Sequence, residues 1–254
     1  MQTIAIANQK GGVGKTSTAA ALGAELAQQK QRVLLIDFDP QASLTQGLGF
    51  AMTEHSIAGV MGGATRGTLT LKQITKPVQE RLDLVPSDIT LAACELGLTQ
   101  RMGRENVLKQ VLESVKDYDV CLIDCPPSLG LLTVNALTAA HAVIVPTLPA
   151  AADLRGVKMF LSTLESIREL NPTLEMLGLL VVQYDQRLLA HNEAIQTIES
   201  AGFAVLGKIP RSVRVQEASA ANEPITVYDP AGKPSKAYNQ VSRKVIQWLR
   251  KNRA

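Results

Sequence analysis

Short apolar runs alternate with longer segments of helical composition along almost the whole chain. The apolar runs predict seven β-strands: Thr3–Ala7, Arg32–Ile36, Leu82–Val85, Val120–Ile123, Ala142–Val145, Leu177–Val182 and Val205–Ile209. Most are continuously apolar, as is typical of parallel strands that helices cover on both faces. The intervening segments predict helices at Ser17–Gln29, Gly103–Val115, Leu131–Ala139, Leu154–Leu170 and Asn192–Ala201. This alternation predicts a doubly wound α/β fold with a mostly parallel, twisted sheet flanked by helices.

Composition agrees with one large globular unit. The chain has 254 residues, of which 46% are hydrophobic, and this is enough for a substantial core. The segment Ala51–Lys76 is rich in Gly and Thr and predicts a loop with short helical turns. No linker or repeat divides the sequence, so we expect a single domain over residues 1–254. Without a basic, apolar leader or an apolar run near ~18 residues, we expect a cytoplasmic protein.

A glycine-rich segment lies between the first predicted strand and the first predicted helix. It reads Lys10-Gly11-Gly12-Val13-Gly14-Lys15-Thr16. Backbone N–H groups of such a turn and of the following helix N-terminus bind phosphate, and glycine lets the chain approach the anion closely. We expect Lys15 to reach the β- and γ-phosphates and the Thr16 hydroxyl to hold Mg²⁺. The segment predicts a nucleotide site.

This loop departs from the general phosphate-loop pattern. Gln9 stands where that pattern has glycine, and a second lysine follows at Lys10. Two interpretations of Lys10 stay open. It is either a solvated surface charge or a charge that reaches a nucleotide held by a second copy of the chain.

Three carboxylates stand at the ends of two predicted strands. Asp124 ends an apolar run and is followed by Pro-Pro, which suits an acid that positions Mg²⁺. Asp37 and Asp39 lie two residues apart on an extended segment and so point the same way. We assign Asp37 to the metal and Asp39 to the attacking water. The alternative is that both acids neutralise Lys15 and cap a following helix at Ser43.

These residues resemble the motifs of the ParA family of deviant Walker ATPases, which also includes MinD-type proteins. The similarity runs along nearly the whole chain and favours the ParA/Soj-type chromosome- and plasmid-partitioning branch. It is carried by Asn8–Thr16, Val33–Gln41, Ile123–Gly130, Ile209–Arg214 with Glu217-Ala218, and Tyr228-Asp229-Pro230.

The resemblance implies an ATPase that uses ATP and Mg²⁺ and forms a sandwich homodimer when ATP binds. Lys10 of each subunit would contact the nucleotide of the other, and Asp39 would support hydrolysis. Gln183 stands where a methionine is frequent in the family, which weakens the adenine contact expected there. The nucleotide-binding set is Lys10, Gly11, Gly12, Val13, Gly14, Lys15, Thr16, Ser17, Gln183, Pro210, Arg211 and Ser212, of which Lys10, Lys15 and Asp39 serve catalysis, and the metal set is Thr16, Asp37 and Asp124.

The resemblance also implies partners. ATP-bound dimers of such proteins coat nucleoid DNA without sequence preference, and a ParB-type protein stimulates hydrolysis. Net charge is only +3, but residues 230–254 carry seven basic residues and no acid. No base-reading module is apparent, so we expect non-specific binding to double-stranded DNA. The candidate DNA contacts are Arg187, Arg214, Lys233, Lys236, Arg243, Lys244 and Arg250; the alternative is a solvated basic surface.

Other functions stay open beside this one. A MinD-type membrane-cycling ATPase needs a basic amphipathic tail, and the C-terminal segment offers a partial match with Val241, Val245, Ile246, Trp248 and Leu249, flanked by Arg and Lys. An iron–sulfur or biosynthetic relative with the same loop fits less well, because Cys94, Cys121 and Cys125 lack metal-ligand spacing. The cargo of a positioning ATPase, whether DNA or a protein assembly, is also open.

Overall fold

A computed structural model describes residues 1–50, 53–63 and 67–252, without the side chains of residues 151, 152, 154 and 155. The strands are β1 (Gln2–Ile6), β2 (Val33–Asp37), β3 (Lys76–Gln79), β4 (Leu82–Val85), β5 (Val120–Asp124), β6 (Ala142–Thr147), β7 (Glu175–Tyr184) and β8 (Val205–Pro210). The helices are α1 (Lys15–Gln28), α2 (Ser43–Gly47), α3 (Ile57–Met61), α4 (Leu71–Ile74), α5 (Thr90–Leu98), α6 (Val107–Glu113), α7 (Leu131–Ala139), α8 (Ala151–Leu170), α9 (Leu189–Ser200), α10 (Arg214–Ala220), α11 (Ile225–Tyr228) and α12 (Lys233–Lys251).

The strands form an eight-stranded sheet in the order β3-β4-β2-β5-β1-β6-β7-β8. All neighbouring pairs are parallel except β3 and β4, which are antiparallel at one edge. β1 lies in the interior between β5 and β6, so the loop that follows it opens at the carboxyl edge of the sheet, where such folds bind ligands. The predicted doubly wound, mostly parallel α/β fold is confirmed.

Helices cover both faces of the sheet, and alternate strand residues face opposite cores. Ile4 and Ile6 pack with α1 and α12, whereas Ala5 between them packs with the core of α6, α7 and α8. Both sets are fully buried. Burial on two faces explains why the strands are continuously apolar instead of alternating with polar residues.

Several predicted boundaries differ from the observed ones. The helix predicted over Gly103–Val115 is a 3₁₀ turn at Arg104–Asn106 followed by α6, since Asn106 between them has φ −105° and ψ 3°, outside α-helical geometry. The antiparallel β3 and the helix α5 were not predicted. Of the predicted Ala51–Lys76 loop, residues 51, 52 and 64–66 lie outside the described residues, and the rest contains the short helices α3 and α4.

Helix α12 docks on its own sheet. Val241, Val245 and Leu249 are each no more than 1% exposed and pack against β8 and α1. The Trp248 indole donates a hydrogen bond to Glu175 Oε2 at 2.7 Å. The apolar residues that a membrane-binding tail would need are therefore used in the core. No helix in the described part of the chain is both long and apolar enough to cross a bilayer.

The three cysteines are free thiols buried in the core. Cys94, Cys121 and Cys125 all belong to the hydrophobic cluster on the α7 face of the sheet. Burial raises the pKa of each thiol above its usual value. These environments suit the structural roles that the spacing of the cysteines indicates.

Candidate nucleotide site

The carboxyl ends of three neighbouring strands bring the predicted phosphate loop and two of the acids together. Ile6 is in register with Asp124, and Asp124 is in register with Asp37. The loop from β1 to α1 therefore opens beside both carboxylates. Gly12 and Gly14 have φ values of 72° and 75°, in the left-handed region that favours glycine, so the turn needs these residue types.

The ammonium of Lys15 lies inside this turn. Its Nζ donates a hydrogen bond to the Lys10 carbonyl at 3.0 Å, and the residue is buried. Burial lowers the pKa of Lys15, and the negative charge of Asp124 opposes that shift. The amine is thus held among the loop carbonyl, the acids at the strand ends and the start of α1, where a phosphate chain on the loop would meet it.

Lys10 occupies the mouth of the loop and is ion-paired instead of free in solvent. Its Nζ lies 2.7 Å from Oδ1 of Asp153 in the first turn of α8; the lysine side chain is 45% exposed, whereas that of the aspartate is 3% exposed. The Asn8 side chain fixes this arrangement, because it accepts from the Lys10 amide at 3.0 Å and donates to the Pro146 carbonyl at 2.7 Å. The partly exposed amine lies outside the pocket that Lys15 occupies.

Asp124 has the environment of a metal-positioning carboxylate. It is fully buried, and neither carboxylate oxygen has a hydrogen-bond partner of ordinary geometry among the described residues. Burial and then the negative charge of Asp37 raise its pKa well above the usual range, while the nearby Thr16 side chain and Lys15 act in the opposite direction. Because two unpartnered buried oxygens are costly, and because Mg²⁺ prefers oxygen ligands, these residues fit that ion.

Asp37 is already engaged by the protein. Its Oδ2 accepts hydrogen bonds from the Thr45 amide at 2.8 Å and the Thr45 hydroxyl at 2.7 Å, and its Oδ1 accepts from the Asp39 amide at 3.2 Å. Burial raises the pKa of Asp37 to about 6, although the Thr45 hydrogen bonds partly oppose the shift. Asp37 therefore secures the first turn of α2 through Thr45, whereas the alternative interpretation placed the capping contact of both acids at Ser43.

Asp39 lies further out along the same loop. It is partly exposed, and its Oδ1 accepts a hydrogen bond from the Gln41 amide at 2.9 Å. Its charge acts on Lys15, Asp37 and Asp124, so all four groups share one electrostatic environment. An exposed carboxylate beside the phosphate loop is suitably placed to orient a water molecule.

A cavity of about 190 Å³ continues from the loop along the ends of β7 and β8. Its lining includes Gly14 of the loop and Ser17 of α1. It also includes the four residues that the sequence predicts to contact the base, which are Gln183, Pro210, Arg211 and Ser212. The Arg211 amide donates to the Tyr184 carbonyl at 3.0 Å, which joins the two strand ends. The fold thus brings the phosphate loop and the ends of β7 and β8, which are far apart in the sequence, to one cavity.

The same cavity has wall residues that the sequence reasoning missed. Val182 and Ile209 are the last buried apolar residues of their strands, and Tyr238 comes from α12. The Tyr238 hydroxyl lies 3.2 Å from the Thr18 hydroxyl of α1. The position of Val182 and Ile209 at the ends of their strands could have predicted that they line the site. Tyr238 reaches the cavity only because α12 packs beside α1.

The predicted DNA contacts fall into two groups. Lys233, Lys236, Arg243 and Arg250 are exposed on α12, opposite its buried face. The other three have partners within the chain. Arg187 pairs with Asp185 at 2.6 Å, and Lys244 donates to the Leu206 carbonyl at 2.6 Å. Arg214 pairs with Glu217 at 2.7 Å and lies over the Tyr228 ring.

Comparison with known proteins gives a consistent result. A family model described as an AAA domain matches residues 1–176. The sporulation initiation inhibitor protein Soj of Bacillus subtilis is 41% identical over 251 residues, which cover 95% of this chain and 97% of Soj. The chromosome partitioning protein ParA of Caulobacter vibrioides is 39% identical over 262 residues, covering 100% of this chain and 97% of ParA.

The chain belongs to the ParA/Soj family of ATPases.

A solved structure supports the chemistry of the site. Cobyrinic acid a,c-diamide synthase from Mycobacterium smegmatis, with bound ATP analogue and magnesium, superposes with a TM-score of 0.87 and 36% identity, covering 100% of this chain and 97% of that one. As a ParA/Soj-family member, this chain is an ATPase that uses ATP and Mg²⁺. The family assignment also confirms the resemblance drawn from the loop and strand-end motifs.

Proposed function

We propose that this ParA/Soj-family ATPase is a single-domain positioning protein that moves chromosome or plasmid DNA. In this proposal, ATP closes two copies into a sandwich dimer, the dimer binds nucleoid DNA without sequence preference, and a ParB-type partner releases it by stimulating hydrolysis. The observation that carries the proposal is the position of Lys10. Its amine lies at the mouth of the phosphate loop, partly exposed and outside its own phosphate pocket.

Within one subunit, the site residues divide the work by burial and charge. The loop amides and Lys15 would bind the phosphates, and Thr16 and Asp124 would hold Mg²⁺, with Asp37 beside them. The ion would supply charge neutralisation on the phosphate oxygens. Gln183, Pro210, Arg211 and Ser212 would enclose the base. The contacts of the loop, the unpartnered oxygens of Asp124 and the cavity at β7 and β8 support these assignments.

Asp39 is the candidate group for the attacking water. It is partly exposed, and only one of its carboxylate oxygens is committed to the Gln41 amide. An ionised carboxylate with a spare oxygen accepts a hydrogen bond from water and orients it toward the γ-phosphate. Asp37 is less suited to this task, because Thr45 and the Asp39 amide occupy its oxygens in a buried setting.

Replacing Asp39 with alanine should slow ATP hydrolysis by about 10²-fold or more while ATP binding is retained, because a water-orienting group is lost. Partner-stimulated release would then fail, and the ATP dimer should stay on DNA. Steady-state phosphate release and DNA retention measure this. Asp88→Ala, in the turn before α5, is a matched control and should behave like the wild type. Wild-type turnover in Asp39→Ala would remove the assignment.

The DNA-binding part of the proposal depends on the outer face of α12. We call this surface the basic face; it consists of the exposed residues Lys233, Lys236, Arg243, Lys244, Arg250 and Lys251. Residues 230–254 contain no acid to offset these charges. A dimer presents two such faces, so ATP-dependent dimerisation would increase the affinity for a polyanion. If roughly six phosphates are neutralised, the log–log salt slope of binding should be about −5.

Charge reversal on the basic face should weaken DNA binding without affecting the ATPase site. We expect Lys236→Glu/Arg243→Glu to reduce affinity at least about tenfold and to make the salt slope less steep, because two phosphate contacts become repulsive. Arg168→Glu on α8 is the control, since it reverses an exposed arginine on the other face of the sheet. Filter binding with ATP and basal ATPase assays measure both. If the double variant and the Arg168→Glu control lost DNA affinity equally, a specific role of the basic face in DNA binding would be ruled out.

Arg214 is a weaker choice for this test. Its guanidinium contacts Glu217, Asp229 and the Tyr228 ring, and so it joins α10 to α11. A reversal there would disturb local structure as well as any DNA contact. Lys236 and Arg243 on the basic face of α12 separate the two effects, because both residues are exposed on the side of the helix opposite its buried face.

A further inference from the structure

A second polar cleft lies at the end of the sheet opposite the phosphate loop. It has a volume of about 260 Å³ and lies where β1 and β6 begin, beside α6 and α7. Thr3 of β1 and His141 directly before β6 line it, together with Lys109 of α6, Lys116 after that helix, and Thr138 of α7. The ATPase cycle proposed above uses none of these residues.

His141 is held in a defined orientation in the wall of the cleft. Its Nδ1 accepts a hydrogen bond from the Thr3 amide at 3.0 Å, and its own amide donates to the Thr3 carbonyl at 2.8 Å. A neutral imidazole that accepts at Nδ1 carries its proton on Nε2. The ring therefore has one remaining donor, Nε2–H, available to a ligand.

The charges around this ring are mostly positive. The lining residues include Lys109 and Lys116, and the Lys109 ammonium acts on His141. Burial, and then the positive charge of Lys109, lower the pKa of His141. Glu113 is the one carboxylate among the described lining residues and offsets a single charge. The cleft thus has a positive potential that an anion would relieve.

An unsatisfied hydroxyl adds a separate indication. Thr138 is 1% exposed, and its Oγ1 has no hydrogen-bond partner in the described part of the chain. Buried hydroxyl groups without a partner are uncommon, and each calls for an explanation such as a bound ligand. Thr138 lies in the wall of the same cleft as His141 and the two lysines.

We propose that this cleft is an anion site for a phosphate group, either free or at the end of a small phosphate ester. The residues that line it carry four donors of three kinds: two lysine ammonium groups, the Nε2–H of His141 and the buried Thr138 hydroxyl. A carboxylate offers only two oxygens to such a set, whereas a phosphate offers three or four. The volume of the cleft suits a small molecule of this class, and the cleft lies apart from the basic face of α12.

The test follows the ring protons of His141 by NMR in wild-type protein saturated with ADP and Mg²⁺, so that the phosphate loop is filled. Inorganic phosphate and glycerol 3-phosphate are added in separate arms, with acetate at matched ionic strength as a third. We expect saturable shifts and a higher His141 pKa with phosphate, with its ester, or with both, and no saturation with acetate. The arm that saturates at the lower concentration identifies the preferred source.

Two variants make the result specific. Lys109→Gln/Lys116→Gln should weaken phosphate binding about tenfold or more, and Lys72→Gln, an exposed lysine on α4, should not. Thr138→Val removes the unsatisfied hydroxyl, so thermal stability should be equal or higher while phosphate affinity falls. Equal saturation with acetate, or unchanged affinity in the double variant, would overturn the proposal. Loss of ATP binding would not affect this readout, so the two proposals fail separately.

Discussion

Replacing Lys15 with alanine is expected to abolish measurable ATP binding, with affinity reduced at least about 10²-fold. The buried ammonium is the group that we propose to bind the phosphates, and charge-assisted hydrogen bonds to phosphate are among the strong ones in proteins. No other described lysine lies inside the turn; the amine of Lys10 points to Asp153 at its mouth. Binding of a fluorescent ATP analogue, with and without Mg²⁺, measures the change.

A measurement of the thermal stability of Lys15→Ala separates its loss of ATP binding from misfolding. Burial lowers the pKa of Lys15 relative to the unfolded chain, so its charged form opposes folding at neutral pH. That cost is absent above the normal lysine value, grows as the pH falls toward the lowered pKa, and keeps its full size below it. Lys15→Ala should therefore not lower the melting temperature at pH 7. Lys72→Ala on α4 is the control for loss of a lysine. Unchanged ATP affinity in a folded Lys15→Ala protein would contradict the assignment of Lys15 to phosphate binding.

Replacing Lys10 with alanine is expected to separate binding from dimerisation. The nucleotide pocket of the same subunit should keep most of its affinity, because Lys15, the loop amides and the base cavity are intact. The ATP-dependent dimer should disappear, since each subunit would no longer offer an amine to the other's phosphates. Analytical ultracentrifugation with ATP and Mg²⁺ measures dimerisation, and fluorescence titration measures binding.

The ion pair with Asp153 complicates this variant and also supplies its control. Removing Lys10 leaves a carboxylate that is 3% exposed without its cation, and an unpaired buried charge is destabilising. Lys10→Ala/Asp153→Asn removes both charges and should fold normally yet stay monomeric with ATP. Asp153→Asn alone keeps the lysine and should still dimerise. A dimer in the double variant would exclude the cross-subunit role of Lys10.

Much of the fold was predictable because it depends on local pattern. The runs that became β2 and β5 are apolar throughout, and the loop from Lys10 to Thr16 identifies the turn after β1 by its glycines. The antiparallel β3 was not predictable in the same way. It contains Pro77, and its pairing with β4 is a matter of edge position and register.

The candidate site likewise combines residues that a local sequence pattern predicts with contacts that depend on tertiary packing. Asp124 was recognisable as an acid at a strand end, and the residues proposed to contact the base were suggested by family resemblance. The pairing of Lys10 with Asp153 depends on how α8 follows β6, and the contact of Asp37 with Thr45 depends on the geometry of a short helix. Such contacts join residues whose separation in sequence carries no periodic signal, so only three-dimensional packing reveals them.

In the proposed ATP-bound state, two copies close over two nucleotides and each contributes Lys10 to the other. This arrangement can be seen in a crystal structure of the protein with a non-hydrolysable ATP analogue and Mg²⁺. We expect a two-fold dimer in which Lys10 Nζ has left Asp153 and lies within hydrogen-bonding distance of a γ-phosphate oxygen held by the partner subunit. A dimer in which Lys10 remains paired with Asp153, or contacts only its own nucleotide, would contradict it.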